Sequence, residues 1–214
     1  MLIDSIHDIL GLVDVQPTFM PGGELPVAGG HEIVPAVNRL LDRFPRAFAT
    51  QDWHPADHIS FASQHPGRRP YETIPLPYGA QVLWPDHAIA GTANAAIHSG
   101  IDQRKIEVVI RKGCHRMLDS YSTFYENDRR TPTGLDGWLR QRGFSRIFLC
   151  GLATDFCVAW SAEDAVNHGY QVFVVPDACR GIGLPAGEAG TTMDAARARL
   201  TALGVTFIDS DALA

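Results

Sequence analysis

The stretch RIFLCGLATDFCVAWSAEDAVNHG, residues 146–169, decides the fold. Arg146 to Ala153 is almost unbroken in apolar residues, which is how a strand covered on both faces reads. Thr154 to Gly169 then turns to helix formers and stops at a glycine. The same grammar recurs along the chain. Buried-strand runs are read at Asp8–Val15, Ile106–Gly113 and Tyr170–Ala178, with shorter candidates at Arg46–His54 and Val205–Ser210. Helical patterns are read at Glu32–Phe44, Gly134–Phe144 and Ala186–Gly204. Alternation of this kind predicts an α/β fold: an open, mainly parallel sheet with helices on both faces and right-handed crossovers. Residues 1–214 are expected to form a single domain.

Composition narrows the function classes. Net charge is −6, and Lys and Arg are scattered with no basic block, so nucleic acid is not the expected partner. No apolar run approaches the ~20 residues of a membrane span. The opening MLIDSIHDILGLVDV lacks a basic n-region and a cleavage site, so no signal peptide is expected. The four cysteines, 114, 150, 157 and 179, form no CxxC pair. They read as free thiols in a reducing, cytoplasmic setting. Self-association into a homo-oligomer is compatible with this composition. Residues 55–100 are rich in Pro, His, Gly and aromatics without clear periodicity, and read as a functional loop region.

Parallel sheets place their sites beyond the carboxyl ends of the strands. Asp14, Asp52, Lys112 and Cys157 each stand at or just after such an end. Thr154 reads as the helix N-cap with Asp155 in the first turn, which puts Cys157 at N3, near unpaired amides. Asp155 opposes thiolate formation there. Two readings of Cys157 therefore stand side by side: a packed thiol, or a nucleophile whose proton goes to a placed base. Asp14 is the base that strand logic supplies, and Lys112 would orient it or stabilise negative charge. Ala153 and Cys157 backbone amides could cradle an oxyanion. In TQDWHPADH, Asp52 and His54 are two apart and project the same way from an extended chain. With His87 and His58 they suit zinc, iron or manganese. Asp57 and Asp86 read as turn residues, and His7, His31, His98, His115 and His168 as ordinary polar positions.

Five blocks, LVDVQPTFMPGGELPV, ATQDWHPADHISFAS, LWPDHAIAGT, RKG and GLATDFCV, together resemble the nicotinamidase/pyrazinamidase branch of the isochorismatase-like cysteine hydrolases, from about residue 12 to 185. The resemblance implies a six-stranded sheet and a catalytic triad of Asp14, Lys112 and Cys157. It also implies a cis peptide before Ala153, whose amide joins that of Cys157 in an oxyanion hole. Asp52, His54 and His87 become ligands of a divalent metal ion, zinc first and iron or manganese as alternatives, with His58 a further candidate. Phe19 and Trp84 become the aromatic walls around a flat ring. The implied activity is hydrolysis of nicotinamide, and of pyrazinamide, to the acid and ammonia. Three rivals remain: a related amidase or carbamoyl hydrolase acting on another small amide, a hydrolase whose nucleophile is metal-bound water, and a metal-holding or partner-binding protein without activity.

Overall fold

A computed structural model describes residues 1–214. Six strands form one sheet: β1 (Asp8–Val13), β2 (Ala47–Asp52), β5 (Ile106–Lys112), β6 (Arg146–Leu152), β7 (Gln171–Arg180) and β8 (Thr206–Phe207). Their order is β5-β2-β1-β6-β7-β8, and every pairing is parallel. Chain order runs outward from β1 in one direction, then returns across it from β5 to β6. Right-handed crossovers therefore put α1 (Ile33–Arg43) on one face and α2 (Leu135–Gln141), α3 (Ala159–Asn167) and α4 (Thr192–Ala202) on the other. The reversal lies between β1 and β6, and the crevice above their carboxyl ends is where such sheets bind ligands.

The central strands are covered on both faces: every residue of β1 and β2 is buried. Phe148 of β6 stacks on Phe173 of β7 with centroids 4.4 Å apart, and Phe44 tilts against Phe148 at 4.9 Å. Helix α1 adds Ile33, Val37, Leu40 and Leu41, a stripe at helical spacing. Gly11 sits where β1 is most tightly covered. A Cβ there would lie 2.4 Å from Phe48 and 2.8 Å from Leu149.

Several expectations need correction. The Ile106–Gly113 run is not covered on both faces: β5 is an edge strand, and its residues alternate between half-buried and exposed up to the buried Lys112. The irregular region 55–100 contains an antiparallel hairpin, β3 (Thr73–Leu76) with β4 (Gly79–Val82). The last helix begins at Thr192, not Ala186, because Thr191 and Asp194 form a reciprocal capping box there. The final strand shrinks to two residues. No helix is long and apolar enough to cross a membrane.

Because Gly11 leaves no room for a methyl group, Gly11→Ala should overpack the sheet and cost about 1–3 kcal/mol. Urea denaturation should show a lower midpoint at unchanged slope; wild-type stability would contradict this packing account.

Candidate active site

Four strand ends meet at one cavity, and the sheet register explains why. Asp52 and Lys112 are direct partners across β2 and β5, and Val13 pairs with Gly151 across β1 and β6. Asp14 follows β1 with φ of 48°, a left-handed backbone that Asp tolerates better than most residues. Thr50 pins it twice: the hydroxyl accepts from the Asp14 amide at 3.1 Å and donates to Oδ1 at 2.6 Å.

Lys112 is fully buried, and its ammonium is the hub. It donates to Asp52 Oδ1, to the Ser120 carbonyl at 3.0 Å and to Cys157 Sγ at 3.4 Å. Three hydrogens thus have three acceptors. Asp14 Oδ2 forms an ion pair with the same nitrogen at 2.9 Å and has no other hydrogen-bond partner. That oxygen is buried and stands where it can take a proton from the neighbouring thiol. Sγ of Cys157 and an oxygen of each carboxylate lie within 4.8 Å of one another.

These environments set the proton affinities. Burial pushes Asp14 up despite Lys112, which makes it a stronger base than a surface carboxylate. Burial also pushes the Cys157 thiol well up; Lys112 draws it back, while Asp14 and Asp52 add to the rise. For Asp52, burial works upward, but Lys112 and His54 outweigh it and hold the carboxyl well below its usual range. For Lys112, burial works downward, and the two carboxylates outweigh that and keep the ammonium charged.

The helix start differs from expectation. Thr154 is not the cap. Residues Thr154–Val158 form a π-helical turn, preceded by Ala153 in extended conformation, with no side-chain cap. Wide turns of this type recur at functional sites. Asp155 does not face the thiol; its carboxylate accepts from the Ile182 and Gly183 amides, each at 2.9 Å, and from the Thr192 hydroxyl. It ties down the loop after β7. The Leu152–Ala153 peptide is cis, as the resemblance implies.

Beside this group lies a second one. Donor atoms of Asp52, His54 and His87 fall within 4.8 Å of one another, all buried. His54 Nδ1 donates to the Gly113 carbonyl at 2.9 Å, and His87 Nδ1 donates to the Pro85 carbonyl at 2.8 Å. Both rings therefore turn Nε2 inward, 3.6 Å and 3.8 Å from Asp52 Oδ2. His54 Nε2 is buried without a hydrogen-bond partner. An orphaned imidazole nitrogen, a second aimed the same way and a carboxylate form a donor set that fits a divalent cation. Gly113 is part of this design, since a Cβ there would lie 2.3 Å from the His54 ring.

His58 stands apart from that trio. It stacks on His54 at 4.1 Å, but both its nitrogens are engaged, with the Ser60 hydroxyl at 2.7 Å and the Leu118 carbonyl at 3.2 Å. Burial, helped by His54, lowers its pKa to about 4, so it is a neutral support for His54. Asp57 pairs with Arg116 and Asp86 accepts from Ser63, as turn residues do.

The cleft between the two groups is lined mostly by apolar residues. Phe19, Trp84, Ala153 and Cys157 line it, together with Asp52 and His87. Tyr121, Phe156 and Asp119 line it too, and the sequence reading missed them. Trp84 meets Phe156 edge-on at 5.0 Å and donates from Nε1 to the Tyr121 hydroxyl at 3.1 Å. The segment 113–134 that carries Asp119, Ser120 and Tyr121 has no periodicity to betray it. It is bound to α3 through Ser161, whose hydroxyl donates to the Cys157 carbonyl and accepts from the Thr123 amide.

Residues 9–211 match the isochorismatase domain family. A nicotinamidase of Acinetobacter baylyi is 51% identical over 173 residues, covering 81% of each chain. Among solved structures, an Acinetobacter baumanii nicotinamidase/pyrazinamidase superposes with a TM-score of 0.93 at 46% identity, covering 97% of this chain and 98% of that one. A pyrazinamidase of Pyrococcus horikoshii in complex with zinc superposes with a TM-score of 0.75 at 31% identity, covering 95% of this chain and 99% of that one.

Asp14 raises the thiol's pKa and Lys112 lowers it. Removing the carboxylate charge with Asp14→Asn should therefore move the pH midpoint for iodoacetamide alkylation of Cys157, followed peptide by peptide, to lower pH. A shift to higher pH would contradict this electrostatic assignment.

Proposed function

The chain belongs to the isochorismatase domain family, and within it we propose that it is an amidohydrolase converting nicotinamide, and pyrazinamide, to the acid and ammonia through a thioester on Cys157. One observation carries the reading. A buried ammonium touches the sulfur of Cys157 and ion-pairs, beside it, with a carboxylate oxygen that has no other hydrogen-bond partner.

The ring enters between Phe19 and Trp84, which cover apolar surface and exclude water. Asp14 Oδ2 takes the proton of Cys157 Sγ, and Lys112 stabilises the thiolate as it forms. The sulfur attacks the carboxamide carbon. The backbone amides of Ala153 and Cys157 receive the charge that develops on the carboxamide oxygen, a contribution of about 3 kcal/mol per donor at such sites. Asp14 passes its proton to the departing nitrogen, the C–N bond breaks, and ammonia leaves a thioester on Cys157. Asp14, again a base, takes a proton from water as that water attacks the thioester. The C–S bond breaks, and the acid leaves as the thiol is restored.

Asp52, His54 and His87 would hold a divalent cation, and zinc suits a set of two imidazoles and one carboxylate, as iron and manganese also do. When bound, the cation supplies a positive anchor for the ring nitrogen, directly or through a water, and so orients the ring. His58 would support this site through its stacking on His54. Asp52 serves both halves: Oδ1 receives Lys112 while Oδ2 faces the two imidazoles. Four free thiols fit a cytoplasmic setting.

The test is ammonia release from purified protein with nicotinamide, pyrazinamide and a carbamoyl amide, with metal content measured on the same sample. Nicotinamide should be turned over; ammonia from the carbamoyl compound alone would overturn the substrate assignment. Cys157→Ala should reduce turnover to the uncatalysed level while the ring still binds. Near-normal turnover in that variant would exclude the covalent route. Asp52→Ala should lose metal and nicotinamide affinity together, because one carboxylate serves both groups; retention of either alone would contradict its dual role.

A further inference from the structure

Asp119 is a buried charge that the reaction above leaves unused. It is 2% exposed and lines the cleft together with Asp52 and His87. No Lys or Arg lies within ion-pair distance, unlike Asp14 and Asp52, which both face Lys112. Its oxygens accept from neutral donors, the Ser120 amide at 2.9 Å and the Gln81 side-chain amide at 2.6 Å. Gln81 is fully buried, and its own oxygen accepts from the Tyr78 hydroxyl at 3.1 Å and the Asn127 amide at 3.4 Å. Those contacts fix which end of the Gln81 amide points at Asp119. The carboxylate is therefore a built feature of the cleft. One of its oxygens lies within 4.8 Å of ring nitrogens of both His54 and His58.

A carboxylate this deep without a counter-charge is costly. Inside the cleft Asp119 stands with Asp52 beside the inward-turned nitrogens of His54 and His87, so a cation held by those ligands would be the positive charge that its surroundings lack.

We propose that Asp119 is the counter-charge that sets the affinity of the Asp52–His54–His87 site for a divalent cation, acting through space and not as a ligand. Neutral donors hold both of its oxygens, and it is not among the Asp52, His54 and His87 donor atoms that lie within 4.8 Å of one another, so it stays in place and contributes charge. Gln81 is the positioning residue that holds it there. The inference rests on the metal assignment made above and extends it to a residue outside the donor trio.

The test uses the full chain stripped of metal with a chelator. Zinc affinity is measured by competition with a chromophoric chelator, and the cobalt(II) form is examined by visible absorption. Asp119→Asn should weaken zinc binding roughly 10- to 100-fold, the range seen when groups behind metal ligands are removed. Asp119→Glu, which keeps the charge, should restore most of the affinity. The cobalt bands should keep their shape in all three proteins, because the inner donors are untouched. Unchanged zinc affinity in Asp119→Asn would overturn the inference, and so would altered cobalt bands, which would make Asp119 a ligand. Should that variant fail to fold by circular dichroism, Asp119→Ser reads the same quantity. A wild-type chain that takes up no divalent ion would remove the metal assignment itself, and nicotinamide turnover of that sample would show whether the thioester route survives it.

Discussion

The ammonium of Lys112 has no access to solvent, and everything around it is arranged to keep it charged. A lone buried ammonium would lose its proton. Here two carboxylates, a backbone carbonyl and a thiol surround it. Those partners come from four places: the ends of β1 and β2, the segment after β5, and the turn after β6. Their meeting depends on sheet register, since a one-residue slip of any strand would turn its terminal side chain away. The parallel sheet is therefore what makes the charge cluster possible. The cluster in turn would be a liability without its partners, because breaking one buried pair leaves the other charge stranded.

The carboxylates divide the work through their surroundings. Asp14 and Asp52 both face Lys112, yet burial moves one up while Lys112 and His54 hold the other down. Pushing two nearby acids apart in this way separates a base from an anchoring anion. Thr50 and Gln16 keep them in place without charge of their own. Thr50 grips Asp14, and Gln16 accepts from the Asp52 amide at 2.9 Å while donating to the Asp52 carbonyl at 2.9 Å. The aromatic residues close the cleft above, where low dielectric strengthens each of these interactions.

What was legible in the sequence follows from which signals are local. Asp14, Lys112 and Cys157 could be read because each stands at the end of an apolar run, and the position of a strand end is a strong pattern. The Asp-x-His pair at 52 and 54 could be read because strand alternation is regular. The β3–β4 hairpin could not: each of its strands has four residues, and only Ile74 and Gln81 are buried. Ser120 acts through its carbonyl, which carries no residue signature at all. Asp119 and Tyr121 sit in an aperiodic segment whose place over the cleft is fixed by contacts distant in sequence, such as Gln81 with Tyr121. The N-cap assignment of Thr154 failed because a π turn replaces the ordinary first turn, and Asp155 found its partners in the loop after β7.

The sulfur at position 157 becomes covalently acylated because a buried ammonium and the Asp14 carboxylate flank it. Rapid acid quenching of the protein during turnover of nicotinamide, followed by mass analysis of its peptides, tests this most directly. A nicotinoyl group on the peptide that contains Cys157, lost on treatment with hydroxylamine, is the predicted result. Steady ammonia production with no acyl group on that peptide at any quench time would contradict it.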